Sequence, residues 1–282
     1  MRLRRLSDGD SGLSWSSVPA SPSASGTAGQ IAYDGSHFYL ATAANTWRRA
    51  ELSTWVPTDP YFSSVSLLLH FDGNLTDSSG NAKTVTAYGS AAASGTAKYG
   101  ANSLSLNGTS QYLRASASAD YALPGDFAIE AWLYFTSASS GFSGAYAALV
   151  AATYPVGGAN PGWQFRINGT SSAFDTINLY TGLNDLNWSA TFNLNTWHHV
   201  AVARSSGTVR AYVDGAQVGS SVSNSDDMTP STNADVWIGR LDLSGYEFYF
   251  PGRIDELRIT KGTARGYTGS TIPVPGEAFP NS

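Results

Sequence analysis

The amino-acid sequence predicts an all-β protein, an antiparallel β-sandwich preceded by a small N-terminal β-module. Three observations carry that expectation. No segment of the 282 residues keeps the 3.6-residue apolar period of a helix for more than a turn or two. Short runs rich in aromatic and β-branched residues alternate instead with Gly, Asn, Asp and Ser clusters at hairpin spacing. Asn107-Gly108, Asn168-Gly169 and Asp214-Gly215 supply the dipeptides that tight hairpin turns require.

Taken in order, residues 1–25 are rich in Ser, Pro and Ala and poor in bulky apolar side chains, and so read as an extended arm or linker. In residues 26–60, Gln30 to Tyr33 and His37 to Leu40 flank Asp34-Gly35 as a hairpin, and Trp47 follows on a third short segment. A unit this small is below the ~40 residues that usually fold alone, which predicts attachment or oligomerisation. Thr58-Asp59-Pro60 breaks the chain, and residues 61–282 form the sandwich. Its expected strands are Val65 to Phe71, Ser103 to Leu106, Phe127 to Phe135, Gly162 to Ile167 and Thr176 to Tyr180. They continue as Trp197 to Arg204, Thr208 to Val213, Val236 to Leu241 and Gly252 to Thr260.

Composition excludes several functions. With no Cys, disulfides, thiolate metal ligands and Cys nucleophiles are ruled out, and redox chemistry says nothing about compartment. The net charge is -5, and residues 1–60 carry five Arg against five acids, so the whole excess belongs to the sandwich. That argues against nucleic acid as a partner and against simple electrostatic adhesion to an anionic surface. The basic start has no apolar stretch behind it, and no apolar run reaches the ~18 residues that span a bilayer, so neither a signal peptide nor membrane insertion is expected.

A series of motifs then appears in one order. It runs Leu67-Leu68-Leu69-His70-Phe71-Asp72-Gly73, Thr76-Asp77-Ser78-Ser79-Gly80-Asn81, Phe127-Ala128-Ile129-Glu130-Ala131-Trp132 and Trp197-His198-His199-Val200-Ala201. Ala211-Tyr212-Val213-Asp214-Gly215, Trp237-Ile238-Gly239 and Gly252 to Thr260 complete it. The series resembles laminin-G-like domains of the concanavalin A-like lectin/glucanase superfamily, which implies a jelly roll over nearly all of residues 63–282. The closing stretch Ile259 to Arg265 with Ala278-Phe279-Pro280-Asn281 resembles the form carried by bacteriophage virion proteins, tail fibres especially. Gly26 to Trp47 resembles a short module of phage structural proteins. The resemblance implies a location on the virion, contacts with other virion proteins through the N-terminal region, and a host-surface glycan as ligand. Multivalent display would suit weak sugar contacts, favouring a homotrimer.

Asp72, Asn74, Asp77, Asp255 and Glu256 are candidate metal ligands, because Ca²⁺, the one cofactor in view, takes several hard oxygens. Strand alternation puts Asp255 on the face of Leu257 and Ile259. The resembling family sets first and last strands side by side, which implies that Asp72 approaches Asp255. The competing expectation is that these residues cap turns and accept backbone N–H groups. For sugar stacking the candidates are Tyr154, Trp163, Tyr180 and Trp188 beside irregular segments, and Tyr246 and Tyr249 in an aromatic hairpin. Trp132, Trp197 and Trp237 fall at the family's interior strand positions and are expected in the core.

Three functions remain open. The first is a non-enzymatic adhesin binding glycan; the second is a virion structural or decoration protein making only protein contacts. The third, a glycan-degrading enzyme, requires paired carboxylates, and Glu130 has no acidic neighbour two residues away on its strand. His198 and His199 alternate faces and cannot chelate one metal together.

Overall fold

The structure, a computed structural model, describes residues 13–52, 58–137, 146–153, 162–169, 173–230, 234–243 and 246–282. The chain divides into two compact units, Met1–Pro57 and Thr58–Ser282. The first holds a four-stranded sheet in the order β1 (Ser14–Trp15), β2 (Gln30–Tyr33), β3 (His37–Ala43) and β4 (Thr46–Glu51). Strand β1 lies inside the segment expected to be an arm, where it pairs in parallel with β2. Ala32, Tyr39, Ala41 and Trp47 pack on one side of this sheet. Asp34 makes the turn by accepting the N–H groups of Ser36 and His37, and takes the Tyr39 hydroxyl at 2.6 Å.

From Thr58 onward the chain runs through β5 (Val65–Leu69), β6 (Val85–Tyr88), β7 (Ala92–Ser94), β8 (Ser103–Asn107), β9 (Tyr112–Ser118) and β10 (Phe127–Phe135). It continues through β11 (Tyr146–Thr153), β12 (Gly162–Gly169), β13 (Phe174–Tyr180), β14 (Asp185–Ser189), β15 (Trp197–Ser205) and β16 (Thr208–Val213). It closes with β17 (Ala216–Ser223), β18 (Ala234–Ile238), β19 (Arg240–Leu243), β20 (Tyr246–Tyr249) and β21 (Pro251–Lys261). The first large sheet has the order β17-β16-β15-β10-β21-β8-β7, with β5 also paired to β21. The second has the order β14-β13-β12-β11-β18-β9-β6, and β19-β20 form a separate ribbon. The all-β sandwich expected from the sequence is therefore the observed one.

Alternation explains the core. Phe127, Ile129, Ala131, Leu133 and Phe135 of β10 face Phe165, Ile167, Val236 and Ile238 of the second sheet within one apolar cluster. The run expected from Val236 to Leu241 is broken at Gly239, whose φ is +79°. A Cβ there would come within 2.3 Å of the Leu106 side chain, so glycine lets the chain leave β18 and turn into the ribbon.

The first sheet is covered on its outer side as well. The C-terminal segment lays Ala264, Tyr267 and Ile272 over Ala128, Ala201, Ala203 and Tyr212, and Phe279 over Val65 and Leu68. Beneath it lies Glu130, 0% exposed. Its carboxylate accepts from Arg258 at 2.8 Å and from the Tyr267 hydroxyl at 2.9 Å, and His199 Nε2 lies at 3.1 Å. Arg258 and Arg265 both reach Asp59, at 3.1 and 2.8 Å, so residues just after Pro57 belong to the sandwich. Burial opposes ionisation of Glu130, but Arg258, His199 and Arg265 prevail and hold its carboxyl well below the usual range.

Removing one partner of such a pair strands the other charge without water. Glu130→Ala is expected to lower unfolding free energy by about 3–5 kcal/mol in urea titrations. A loss below about 1 kcal/mol would contradict this role for the network.

Candidate functional site

The five expected metal ligands separate into hydrogen-bonded stations instead of converging. Asp77 accepts from the N–H groups of Leu68, Ser79 and Lys83 at 3.0, 2.9 and 2.8 Å and from the Ser79 hydroxyl at 2.9 Å. Asn74 caps its own turn through the Thr76 N–H at 2.9 Å. Asp72 takes the Ala101 N–H at 2.7 Å, and Asp255 takes those of Lys98 and Tyr99 at 2.7 and 3.2 Å. Asp72 and Asp255 thus meet through one loop, residues 98–102, which they clamp from both ends. Gly100 belongs to that clamp, since its φ is +65° and a Cβ would lie 2.0 Å from the Asp72 carboxylate. Glu256 holds both His70 Nδ1 at 2.9 Å and the Phe279 N–H at 2.8 Å. Among the described residues no three His, Cys, Asp or Glu side chains form a group that could hold a metal ion. The donor set is occupied by N–H groups and does not fit Ca²⁺.

The face expected for Asp255 is also corrected. Ile254 and Leu257 both point into the core, with two residues between them instead of one. The pairing of β10 with β21 shifts between Glu130 and Trp132, and Glu256 sits at φ +49°, so a bulge interrupts the alternation. Asp255 consequently lies opposite Trp132 on the outer face.

Four of the tryptophans depart from expectation. Trp163 and Trp188, expected as sugar platforms, are buried in the core between the sheets, and their indole N–H groups donate to Tyr121 O and Ser220 O, each at 2.8 Å. Of the three expected in the core, Trp132 is buried, though on the outer side of the first sheet, while Trp197 and Trp237 lie half-buried on outer faces. Trp132 is covered by Lys98, whose ammonium sits 4.0 Å from its ring, and Trp197 is half-buried beside Tyr134. Tyr154 lies outside the described residues. Tyr246 opens β20, and its side chain likewise falls outside what is described.

Trp237 and Tyr249 belong to an aromatic platform on the outer face of the second sheet. Val236 and Ile238 point inward, so Trp237 points out, as Tyr112 does beside Leu113. Tyr88 and Tyr112 stack at 4.7 Å, and Tyr112 lies 6.2 Å from Trp237 and 6.3 Å from Tyr249. The Arg240 guanidinium sits over three of these rings, 4.4 Å from Trp237, 4.9 Å from Tyr112 and 6.0 Å from Tyr249. Arg240 is paired with Asp242 and Glu247, and Arg114 with Asp235 at 2.6 Å. Burial, then the hydrogen bond to Glu247, pushes the Tyr249 hydroxyl up to about 12. Trp237 Nε1 and Arg240 Nε are buried without hydrogen-bond partners among the described residues. All four aromatic residues are half-buried, which leaves ring surface for a ligand. Strand alternation was the signal that could have placed Trp237 and Tyr112 here from sequence.

Tyr180 also faces outward, beside a polar strip. Arg166 donates to Asn178 at 2.6 Å and pairs with Asp185, and Asn178 donates to Asn187 at 2.8 Å. The β19-β20 ribbon separates strip from platform, because Leu241 and Phe248 pack on Ala151 of β11, the strand between β18 and β12.

The acidic stations set a pH dependence. Burial, reinforced by Glu256, pushes Asp255 up to about 7 against the N–H groups of Lys98 and Tyr99. The folded chain keeps a proton that the unfolded chain releases near pH 4, so this contribution to stability falls as pH rises from about 4 to about 7. His70 acts in the same direction. Burial opposes its charge, but Glu256 raises its pKa, and that stabilisation is complete below about pH 6.5 and lost as pH rises through the raised value. Asp255→Asn keeps an acceptor and removes the first contribution. Its Tm is expected to fall less than the parent's between about pH 5 and pH 7.5 in thermal scans, and equal slopes would count against the assignment.

Comparison with known proteins places this geometry. One solved structure is domain 4 of AbnA, a GH43 extracellular arabinanase from Geobacillus stearothermophilus, in complex with arabinotriose. It is 20% identical, with a TM-score of 0.53 over 71% of this chain and 94% of that one. A botulinum neurotoxin type C structure, described as entering cells through two ganglioside molecules, is 12% identical with a TM-score of 0.52 over 71% of this chain and 48% of that one. The binding domain of Paraclostridial Mosquitocidal Protein 1 is 15% identical with a TM-score of 0.55 over 72% and 50%. At these identities the likeness is one of fold. A capsule K30/K69-specific depolymerase of Klebsiella phage K64-1 is 46% identical over 39 residues, which is 14% of this chain and only 5% of that protein. A laminin-G-type family model matches residues 107–265, more than half of the sequence. The chain belongs to the concanavalin A-like lectin/glucanases superfamily.

Proposed function

We propose that the chain is a non-enzymatic carbohydrate-binding protein whose contact surface is the outer face of the second sheet, centred on Trp237, Arg240 and Tyr249. The observation that carries this reading is the platform itself: three half-buried aromatic rings around one guanidinium, with a fourth, Tyr88, stacked on Tyr112. Sugar rings stack their C–H faces on such surfaces, while Glu247, Asp242 and the unpartnered indole and guanidinium N–H groups meet hydroxyls. The arabinotriose complex of one similar fold and the ganglioside-dependent cell entry described for another support a glycan as ligand.

A binding role is favoured over hydrolysis by the condition of the acids. A glycosidase needs two accessible carboxylates roughly 5–9 Å apart. Glu130, Asp255 and Glu256 are all 0% exposed and held by donors of the fold. The phage-like closing motif and the short depolymerase match support placement on a bacteriophage particle as a host-recognition protein. The small N-terminal sheet, with Trp15, Tyr33 and Phe38 exposed, suits attachment to other virion proteins or homotrimer formation. A second reading, a virion structural protein, draws on the same platform, because Trp, Tyr and Arg also dominate protein contacts.

The test is a printed array of bacterial capsular and lipopolysaccharide oligosaccharides probed with the whole chain. Trp237→Ala and Tyr249→Ala are each expected to weaken the retained saccharides by about tenfold or more at near-parental Tm. A chain that retains no saccharide, or variants that bind as well as the parent, would refute the reading.

A further inference from the structure

Strand β12 alternates Trp163, Phe165 and Ile167 toward the core with Gln164, Arg166 and Asn168 toward the outer face. Around Arg166 the polar atoms are matched: Arg166 with Asn178 and Asp185, Asn178 with Asp185 and Asn187, and the Tyr180 hydroxyl with Gly182 O at 2.8 Å. Two acceptors on this same face are not matched. Gln164 Oε1 and Asn168 Oδ1 are buried and have no hydrogen-bond partner among the described residues, and Gln164 as a residue is 3% exposed. A buried acceptor without a donor costs about 1–3 kcal/mol, and such groups are rare in a native fold unless something else satisfies them.

Their placement bears on what that something is. Cross-strand register puts Gln164 between Ala151, on which the β19-β20 ribbon rests, and the Tyr180 ring, which in turn lies opposite Asp185. Asn168 follows four residues later, with Thr176 and Ser189 across the strands. Four residues of extended chain separate the two acceptors by roughly 13 Å. That span exceeds a single sugar ring. Arg166 is neutralised by Asp185 and the exposed Asp175 carboxylate flanks Thr176, so the row offers an anion no unpaired cation among the described residues. The groups that would satisfy this row are therefore neutral donors, hydroxyl or amide N–H, repeated along an extended molecule with an apolar face for Tyr180.

We propose that the outer face of β12 to β14 is a second saccharide subsite, in which Gln164 and Asn168 accept hydrogen bonds from successive units of a neutral oligosaccharide and Tyr180 packs against one of its rings. This rests on the carbohydrate reading of the second sheet. It adds the ligand's length and neutrality, and makes the β19-β20 ribbon a divider between an aromatic subsite bearing unmatched donors and a polar subsite bearing unmatched acceptors.

The test uses the full chain, ¹⁵N-labelled, titrated with the strongest neutral oligosaccharide from the array and separately with its component monosaccharide. The Gln164 and Asn168 side-chain amide signals, assigned by Gln164→Met and Asn168→Ala, are expected to shift with the oligosaccharide and to respond at least tenfold more weakly to the monosaccharide. Gln164→Met removes an unmatched acceptor while keeping its shape, so its Tm is expected to equal or exceed the parent's while oligosaccharide affinity falls about fivefold to tenfold. A purely structural Gln164 would lower Tm and leave affinity unchanged. Shifts at the Trp237 indole without shifts at the Gln164 and Asn168 amides would overturn the subsite and leave the platform standing. Amide shifts without an indole shift would do the reverse, and no shift with any saccharide would overturn both.

Discussion

Glu130 is ionised where there is no water, and the arrangement that permits this organises the first sheet. Its carboxylate ties β10 to β21 through Arg258, to β15 through His199 and to the C-terminal segment through Tyr267. Asp59 neutralises what is left of Arg258 and Arg265. Neither the strands nor the tail can separate without exposing an unmatched charge to an apolar interior, which is far costlier than losing an ordinary hydrogen bond. The tail is thereby as much a part of the fold as the strands beneath it. It also closes much of one of the two large outer faces.

The acids near the end of β21 follow the same logic. The bulge at Glu256 places Asp255 opposite Trp132, where it anchors the 98–102 loop, while Glu256 anchors Phe279 and His70. Carboxylates that look like a cation site in the sequence are here the fasteners of a loop and a tail. Their oxygens are committed to N–H donors of the fold.

The second sheet bears no corresponding strap among the described residues. Gly239 lets the chain leave β18 and double back as a ribbon over β11, and that one turn carries Arg240 and Tyr249 onto Trp237 and Tyr112. Rings and guanidinium desolvate one another there, while carboxylates at the rim keep the group close to neutral. Such a surface favours stacking and directional hydrogen bonds over long-range attraction, in keeping with the acidic balance of the sandwich.

Fold class and most strands are legible in the residues alone, because period-2 alternation and Asn-Gly and Asp-Gly turns are local signals that each stretch carries alone. It also held more of the site than residue type suggested. Alternation in Val236-Trp237-Ile238 and in Trp163-Gln164-Phe165 sends Trp237 and Gln164 outward and Trp163 inward, whereas reading aromatics by type and family position assigned Trp163 and Trp237 the other way round. The rest came from long-range packing. The Glu256 bulge inverted the expected face of Asp255, and the C-terminal segment covered Glu130 from 134 residues or more away in sequence. Register across strands set Trp237, Ala151, Gln164 and Tyr180 in one row. These depend on which strands lie side by side and what packs over them, properties of long-range pairing that no local pattern contains.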